Sequence, residues 1–333
     1  MILVQNYTLA VILCAVAMVC WGSWQNTQNL TGKSWRFELF YWDYSLGILL
    51  FALLMAFTFG SFGNDGRSFL PDLAQADSKN LFSAALGGAI WNLGTLLLVA
   101  AISVAGMSVA FPIGGGIGWI LGIFINYIAK PEGNPAFLFG GTGFIVVAIL
   151  LSMLSYKKLA SQQKKPTLKG ILLSVGAGLC IAFFYRFVAS ALATDFSPAE
   201  AGKISSYTAV VFFSLGALVS TFIFNPVFMA RPVQGEPVKI GSYFKGSIRV
   251  HLLGMLGGAI WCLGNSVSFM AVGAASPAIS YGLSNSAPVV AAIWGIFVWK
   301  EFKDAPKGTS VFISLMFLCY LIGLAFIVYS RFA

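Results

Sequence analysis

Two charged residues stand inside long apolar stretches of this sequence, where a charge costs about 2.5–3.5 kcal/mol on membrane-insertion scales. Asp43 lies near the start of the apolar stretch 38–60 and is our candidate for a group that binds and releases a proton. The alternative is a helix N-terminal acid, favoured by the helix dipole. Arg186 lies about sixteen residues into the stretch 170–192. It is a candidate hydrogen-bond donor to a substrate; alternatively it snorkels to the membrane surface or pairs structurally with an acid.

Uncharged polar and aromatic side chains form a second set of candidates for binding a neutral solute. They are Trp21, Ser23, Trp24, Gln25, Asn26, Trp91, Asn92, Ser206, Tyr207, Trp261, Asn265, Tyr281, Ser284 and Asn285. Amides between aromatic walls suit a sugar, a flat ureide or a nucleobase, because each offers many donors and acceptors. The alternatives are hydrogen bonds between helices, worth about 0.6 kcal/mol each on average, and tryptophan anchoring at the lipid interface.

The sequence lacks the side-chain patterns that most enzymes and metal sites need. It has no HExxH motif, no paired intramembrane acids and no GxxxxGK[ST] loop for a nucleotide. His251 is the single histidine and the five cysteines lie in apolar runs, so we expect no metal site, no cofactor and no enzymatic activity. An intramembrane enzyme or a non-transporting receptor remains as a remote alternative.

Ten apolar segments are long enough to cross a hydrocarbon layer of about 30 Å. Of the residues, 58% are hydrophobic and 9% charged, whereas soluble domains carry about 25% charged residues. The pattern predicts an all-α polytopic membrane protein with ten transmembrane helices, placed in the lipid bilayer of the cell (inner or plasma) membrane. The predicted segments are 8–26, 38–60, 81–102, 105–129, 136–154, 170–192, 202–224, 250–272, 277–299 and 308–330.

Basic residues are distributed unevenly between the two sets of connections. The connections after helices 1, 3, 5, 7 and 9 hold 14 of the 20 Lys and Arg residues, and the other connections and termini hold 5. Because basic loops stay in the cytoplasm, both termini are predicted on the non-cytoplasmic side. The net charge of +9 is thereby assigned to orientation, and no nucleic-acid partner is expected.

A nine-residue motif occurs twice, as LGGAIWNLG at 86–94 and LGGAIWCLG at 256–264. The copies are 170 residues apart and match at eight of nine positions. The spacing divides the chain into a first five-helix repeat (1–155), a basic cytoplasmic connector (156–169) and a second five-helix repeat (170–333). Since five is odd, the second half enters the membrane in the opposite sense, which is an inverted repeat. Pro112 and Pro288 are predicted to interrupt helices 4 and 9 near the midplane.

The sequence resembles the drug/metabolite transporter superfamily, in which PVVAAIWGIFVWKEF (288–302) is similar to the ninth-helix signature. Within it, the nearest resemblance is to the ureide permease family and more distantly to the glucose/ribose porters. It is carried by WDYSLG (42–47), AFTFGSFG (56–63), GGAIWNLG (87–94), SYTAVVFFS (206–214) and GGAIWCLGNSVSFM (257–270). Plant ureide permeases have a long central hydrophilic loop, whereas this chain has the short connector.

The resemblance implies a secondary transporter that moves a small polar metabolite by alternating access. We expect a ureide, a nucleobase-like compound or a monosaccharide as substrate and a proton as the coupling ion, with a homodimer possible. An exporter of lipophilic compounds is the alternative within transport, and the amide-rich candidate residues argue against it.

Overall fold

The computed structural model describes residues 1–32, 35–159, 167–195, 200–233 and 235–333. Within these residues the chain is helical and has no strand, apart from one isolated bridge between Leu192 and Ile204. The α-helices are α1 (Tyr7–Ser23), α2 (Gln25–Asn29), α3 (Phe37–Phe57), α4 (Phe69–Gln75), α5 (Ser78–Ala105), α6 (Met107–Ala129), α7 (Pro135–Leu159), α8 (Leu168–Ala191), α9 (Ser206–Ala230), α10 (Ile248–Ala275), α11 (Pro277–Ser284), α12 (Pro288–Ile293) and α13 (Thr309–Tyr329). A 3₁₀ helix spans Ile240–Lys245, and a π-helical turn spans Trp294–Val298.

Nine helical stretches in the described part of the chain are long and apolar enough to cross a membrane, and Ile113–Ala129 within α6 is a shorter apolar helix. Each of the ten predicted segments overlaps one of these stretches. Helices form because a backbone in lipid must satisfy its own hydrogen bonds. The protein is therefore an all-helical, multi-pass membrane protein. The predicted connector 156–169 falls partly on residues 160–166, which lie outside the described residues, and its first four residues extend α7.

The predicted bounds of the seventh segment, 202–224, are wrong at both ends, since α9 is Ser206–Ala230. Ser205 caps the helix by accepting a hydrogen bond from the Thr208 N–H, and Ile204 donates its N–H to the Ala191 carbonyl. The residues just before Ser206 are therefore not helical. At the other end the helix continues through Pro226, although a proline usually ends or kinks a helix.

Helices α3 and α9 lie side by side and run in opposite directions. Ser45 Oγ, in the first half of α3, lies 3.1 Å from Thr221 Oγ1, late in α9. Asn225, further along α9, donates to the carbonyl of Glu38 near the start of α3 at 2.9 Å. We call the end of the bundle where α3 begins and α9 ends the basic end, because the segment 231–249 that follows α9 there holds four basic residues and one acid. The other end is the opposite end.

The second glycine of each repeated motif lies at a contact between two helix backbones. A Cβ on Gly88 of α5 would overlap the Phe213 carbonyl of α9, and a Cβ on Gly258 of α10 would overlap the Tyr44 carbonyl of α3. Only glycine lets helices approach so closely. The repeat thus has a packing reason: the same position lets α5 meet α9 and α10 meet α3.

The residues that end α5 and α10 share an unusual backbone conformation. Gly106 has φ 78° and ψ 160°, and Ser276 has φ 74° and ψ 158°. Positive φ is costly for a serine, and the Ser276 side chain accepts from the Ile279 N–H as the cap of α11. The predicted ninth helix is interrupted before Pro288, between α11 and α12, as expected. The interruption expected at Pro112 is wrong, because the backbone of α6 is continuous.

Candidate functional site

Rings from five helices meet at the centre of the bundle and form what we call the aromatic cluster. Its core is Trp91 of α5 and Trp261 of α10, the tryptophans of the two repeated motifs, with ring centroids 4.0 Å apart. Trp21 of α1 stacks on Trp261 at 5.9 Å and donates from Nε1 to the Trp261 carbonyl. Phe213 of α9 lies 5.7 Å from Trp261. The cluster is thus built from both halves of the chain.

Tyr44 of α3 connects a further tryptophan to this cluster. Its ring lies 4.6 Å from that of Trp24 and 6.5 Å from that of Trp91. Trp21, Trp24, Trp91 and Trp261 were all predicted as site residues, and the structure brings them together through these rings.

Asn265 lies one turn beyond Trp261 on the same face of α10. Its side chain is fully buried, and neither its Oδ1 nor its Nδ2 has a hydrogen-bond partner in the described part of the chain. The hydroxyl of Tyr44 is likewise buried without a partner among the described residues. Buried polar atoms without partners are rare in folded proteins, because each costs about 1–3 kcal/mol. A polar solute at this site would supply the missing bonds.

Asn92 is equally buried but has every hydrogen-bonding atom engaged. Its Oδ1 accepts from the Tyr41 hydroxyl at 2.6 Å, and its Nδ2 donates to Ser220 Oγ at 2.7 Å and Thr221 Oγ1 at 3.2 Å. It also donates to the Ala217 carbonyl at 3.1 Å. Asn92 therefore joins α3, α5 and α9, and it has no amide atom left for a solute.

The polar residues at the end of α1 contact the segment that follows α12. Ser23 Oγ accepts from Trp294 Nε1 at 2.8 Å, and Asn26 Oδ1 accepts from Trp299 Nε1 at 2.7 Å. Gln25 is exposed. Ser23 and Asn26 therefore hold helix ends together, and none of these three predicted site residues has a ring contact with the aromatic cluster.

The predicted residues in and directly after α11 contact other groups of the protein. Tyr281 donates to the Gly118 carbonyl at 2.7 Å and to the Ile181 carbonyl at 3.1 Å, and Asn285 donates to the Tyr281 carbonyl. Ser284 is buried, and its hydroxyl lies beside the Cys14 thiol of α1.

Ser206 and Tyr207 lie at the start of α9, at the opposite end. The Tyr207 hydroxyl donates to the Ile2 carbonyl at 3.1 Å, and its ring packs beside Gly60. The structure does not bring these two residues into the aromatic cluster, which α9 joins two turns later through Phe213.

Arg186 lies half-buried, five residues before the end of α8. No hydrogen bond or ion pair joins it to another residue in the described part of the chain. Its neighbour Tyr185 points inward and lies 5.2 Å from Tyr281, ring to ring. The arginine is therefore closer to the opposite end than to the middle of its helix, where a long side chain can reach the membrane surface.

Asp43 forms a buried cluster with two residues from the second half of the chain. Tyr243, in the 3₁₀ helix, donates its hydroxyl to Asp43 Oδ1 at 2.6 Å, and His251 Nδ1 lies 2.8 Å from Asp43 Oδ2. The Asp43 side chain has no exposed surface, whereas that of His251 is 17% exposed. Burial and the Asp43 carboxylate raise the pKa of Tyr243, so its hydroxyl stays protonated and donates. We call these three residues the Asp43 cluster.

A second buried carboxylate, Asp72 of α4, holds the opposite end together. Its Oδ1 lies 3.0 Å from Arg67 Nε, and its Oδ2 accepts from the Ser205 N–H and the Thr208 hydroxyl, both at 2.7 Å. Arg67 also donates to the carbonyls of Glu200 and Lys203. We call this group the Asp72 cluster.

Sequence reasoning missed several residues of these sites. Tyr44 and Phe213 could have been found, since YSLG at 44–47 is repeated as FSLG at 213–216. Tyr243 and Asp72 lie in connections and carry no local signal. Among the described residues, no group of three His, Cys, Asp or Glu side chains could hold a metal ion.

Comparison with known proteins assigns the family. The model of the ureide permease family matches residues 40–169 and 157–330. Ureide permease 1 of Arabidopsis thaliana is 23% identical over 99% of each chain, and the probable ureide permease A3 of Vigna unguiculata is 25% identical over 93% of this chain and all of the relative.

More distant matches agree with this fold and class. The probable glucose uptake protein GlcU of Staphylococcus aureus is 22% identical over 70% of this chain and 73% of the relative. One crystal structure superposes with a TM-score of 0.59 at 12% identity, over 95% of this chain and 96% of that one; at this identity the likeness shows the fold alone. The curated relatives are named as permeases and uptake proteins, not as enzymes. With the family model matched along most of its length, the chain belongs to the ureide permease family.

Proposed function

We propose that this membrane transporter moves a small polar metabolite by alternating access, as a secondary active transporter coupled to protons. The substrate would be a ureide, a nucleobase-like compound or a monosaccharide, bound at the aromatic cluster. The names of the relatives support this range, since they are ureide permeases and a probable glucose uptake protein.

The observation that carries the proposal is the buried Asn265 amide, which has no partner for either polar atom in the described part of the chain. It lies one turn from Trp261, so a solute against the tryptophan ring is within reach of the amide. A flat, polar molecule fits this pairing, because the ring accepts its face while the amide meets its edge. A lipophilic cargo would leave the amide unsatisfied, and for this reason we favour the polar substrate.

The test exploits the two buried asparagines, which differ in their partners. Asn265→Leu removes an amide that bonds to nothing in the protein, so the variant is expected to fold at least as well as the parent. Its binding of the substrate is expected to weaken by about 10- to 100-fold, the cost of a lost buried hydrogen bond or two. Asn92→Leu is the matched control and is expected to lose stability, since it breaks the bonds that join α3, α5 and α9.

The measurement is uptake of labelled allantoin, uracil and glucose into proteoliposomes, together with the melting temperature of each variant. Unchanged uptake of every solute by Asn265→Leu, at equal protein content, would exclude Asn265 as a binding residue. A normal melting temperature for Asn92→Leu would show that burial without partners does not distinguish the two residues.

We further propose that Asp43 is the proton-coupling residue and that protons reach it through His251. Asp43 has no surface of its own, while His251 is partly exposed and 2.8 Å away. An imidazole can accept a proton on one ring nitrogen and release one from the other, so His251 can pass a proton to the carboxylate. Protonation of the Asp43 carboxylate would remove its charge and weaken the hydrogen bond from Tyr243, which would release the 3₁₀ helix and let the basic end open.

Arg186 is proposed as a further contact to the substrate or to its path. It has no partner in the described part of the chain, and an unpaired charge inside a membrane helix is costly without a purpose. Arg186→Gln is expected to raise the substrate dissociation constant about tenfold, the value of one charged hydrogen bond. Binding equal to that of the parent would assign Arg186 to membrane anchoring.

The arrangement proposed for these sites is ten membrane helices in two inverted repeats, with both termini on the non-cytoplasmic side. The reciprocal contacts of Gly88 with Phe213 and Gly258 with Tyr44 support it, since the partners are displaced by 170 and 169 residues. A periplasm-active reporter fused after Ala333 should be active, and activity of a cytoplasm-only reporter there would contradict the orientation.

A further inference from the structure

A groove of about 650 Å³ lies beside the Asp43 cluster, between α3, α9 and the 3₁₀ helix Ile240–Lys245. Its walls are apolar and include Trp42, Phe222, Pro226, Ile240 and Phe244. It lies at the basic end, and its lining residues are not those of the aromatic cluster or of the Asp72 cluster. The groove is therefore a separate feature from the proposed transport site.

The groove opens toward the lipid. Along α9, Val219, Ile223 and Val227 are exposed apolar side chains on the outside of the bundle, and Phe222 and Pro226 of the groove lie between them in sequence. An apolar helix face of this kind in a membrane protein contacts hydrocarbon. Whatever occupies the groove thus enters from the bilayer.

Two features keep the groove from being filled by the protein itself. Pro226 lies inside α9, where a proline removes one backbone hydrogen bond and bends the helix. Trp42 is held against the groove floor, because its Nε1 donates to Met229 Sδ at 3.4 Å and its ring lies 5.1 Å from that of Phe222. The indole therefore cannot swing into the space.

The rim of the groove is basic. Arg231, Lys239, Lys245 and Arg249 are all exposed, and none has a carboxylate within ion-pair distance in the described part of the chain. The only acid between residues 231 and 249 is Glu236. The rim thus carries an unbalanced positive charge.

Apolar side chains alternate with these charges along the 3₁₀ helix. Ile240 is 53% and Phe244 78% exposed, and they stand next to Lys239 and Lys245. Exposed apolar residues beside basic ones are typical of a segment that lies in the headgroup region of a membrane. Such segments attract anionic lipids, by a factor of about five for each Lys or Arg.

We propose that this groove binds one anionic glycerophospholipid, with an acyl chain against Trp42 and Phe222 and the phosphate between Lys239 and Lys245. The apolar walls select a hydrocarbon chain and the unpaired lysines select a negative headgroup. Neither a free anion nor a zwitterionic lipid satisfies both features.

The site has a direct connection to the Asp43 cluster. The Tyr243 side chain lines the groove and donates its hydroxyl to Asp43 Oδ1. A lipid chain against this ring holds the hydroxyl on the carboxylate, whereas an empty groove leaves the tyrosine free to turn away. Lipid binding therefore stabilises the closed basic end.

The test is lipid binding to purified, delipidated protein, measured by native mass spectrometry and by melting temperature. Dioleoyl phosphatidylglycerol is expected to remain bound at one molecule per chain and to raise the melting temperature. Dioleoyl phosphatidylcholine and glycerol phosphate, at the same concentrations, are expected to do neither. These readouts do not involve transport. Lipid binding can therefore fail while the proposed function holds, and the proposed function can fail while lipid binding holds.

Three variants assign the binding to the groove. Lys239→Gln with Lys245→Gln is expected to weaken phosphatidylglycerol binding about 30-fold, two factors of about five. Lys303→Gln with Lys307→Gln removes two exposed lysines from another connection and should leave binding unchanged. Ala230→Trp fills the groove from an exposed position and should abolish the bound lipid.

Several results would overturn the proposal. Equal retention of the two phospholipids would show that the lysines do not select the headgroup. A rise in melting temperature with glycerol phosphate alone would show that the acyl chain is not needed for binding. Retained phosphatidylglycerol in Ala230→Trp would place the lipid elsewhere. A native mass of two chains without bound lipid would indicate that the groove is a contact between two copies of the protein.

Discussion

Asp72 and Asp43 are both fully buried carboxylates, one at each end of the antiparallel pair α3 and α9. Each binds a side chain from a connection and joins helices of the two halves of the chain. They differ in the basic partner: Asp72 is paired with the Arg67 guanidinium, and Asp43 with the His251 imidazole, which is a cation only when protonated. A guanidinium keeps its proton at every physiological pH, whereas an imidazole does not.

This difference separates a permanent closure from a reversible one. The Asp72 cluster also takes up the Ser205 N–H and the Thr208 hydroxyl, so its carboxylate is fixed by groups that do not titrate. The Asp43 cluster depends on one histidine and one tyrosine. We expect the Asp72 cluster to keep the opposite end closed whatever the pH, and the Asp43 cluster to open the basic end when it takes up a proton.

The largest effect is expected for Arg67→Gln, which leaves Asp72 buried without its cation. Breaking a buried ion pair from one side costs about 3–5 kcal/mol of unfolding free energy. The measurement is the unfolding of purified protein in mixed micelles. Lys79→Gln is the control, because its ion pair with Asp77 is exposed and such pairs contribute about 0–1 kcal/mol. Similar losses of unfolding free energy in both variants would mean that the Asp72 cluster does not hold the opposite end closed.

Asp43→Asn should act on coupling with less effect on folding. The amide can still accept from Tyr243, so we expect stability to fall by no more than about 1–2 kcal/mol, the value of one weakened bond. Proton-driven accumulation should be lost, while exchange of substrate across the membrane, which moves no net proton, should continue. Accumulation at the parent rate with the parent's pH dependence would place the coupling group elsewhere.

His251→Gln sharpens the comparison, because it replaces the imidazole, which can take up a proton, by a neutral donor to the same carboxylate. Uptake by the parent is expected to change several-fold between about pH 5 and about pH 8, because protons that pass through His251 drive it. In the variant this profile should flatten, with exchange retained. A profile that keeps its shape and midpoint would show that His251 only positions Asp43.

The smallest effect concerns Glu200, whose backbone carbonyl binds Arg67 of the Asp72 cluster. Burial raises the pKa of this carboxyl, but the N–H groups of Thr194 and Asp195, the Thr194 hydroxyl and Lys203 together lower it below 4.5. The folded state therefore binds the proton more weakly than the unfolded state, and the gain in stability exists above about pH 4.5 and disappears as pH falls through the lowered value.

Glu200→Gln should therefore lose a small amount of stability at pH 7, and this loss should shrink as the pH falls toward about 3. The measurement is the difference in melting temperature between variant and parent across this range. A difference that grows toward low pH would reverse the sign and contradict the assignment.

Much of the membrane topology could be predicted from sequence, because apolar stretches of 18 or more residues are a strong signal. The start of α9 could not, since it depends on Ser205 and on Asp72, which is more than 130 residues earlier. The ends of helices are decided by caps and contacts, which hydropathy does not describe.

The site could be predicted in part. Trp91 and Trp261 stood out because the repeat places them in register, and they meet in the structure. Asn92 and Asn265 looked alike in sequence, yet one is fully bonded and the other is not, because only the first faces Ser220 and Thr221. The link from Asp43 to Tyr243 and His251 spans about 200 residues, and no local sequence pattern predicts such a contact.

The glycine contacts of the repeat have a mechanical consequence. Where Gly88 meets the Phe213 carbonyl and Gly258 meets the Tyr44 carbonyl, backbone rests on backbone. No side chain lies between the helices that could change rotamer and absorb sliding. Each of the pairs α5–α9 and α3–α10 is therefore expected to move as a rigid body, and a movement that exposes the aromatic cluster has to take place between the pairs, where side chains such as the tryptophans can rearrange.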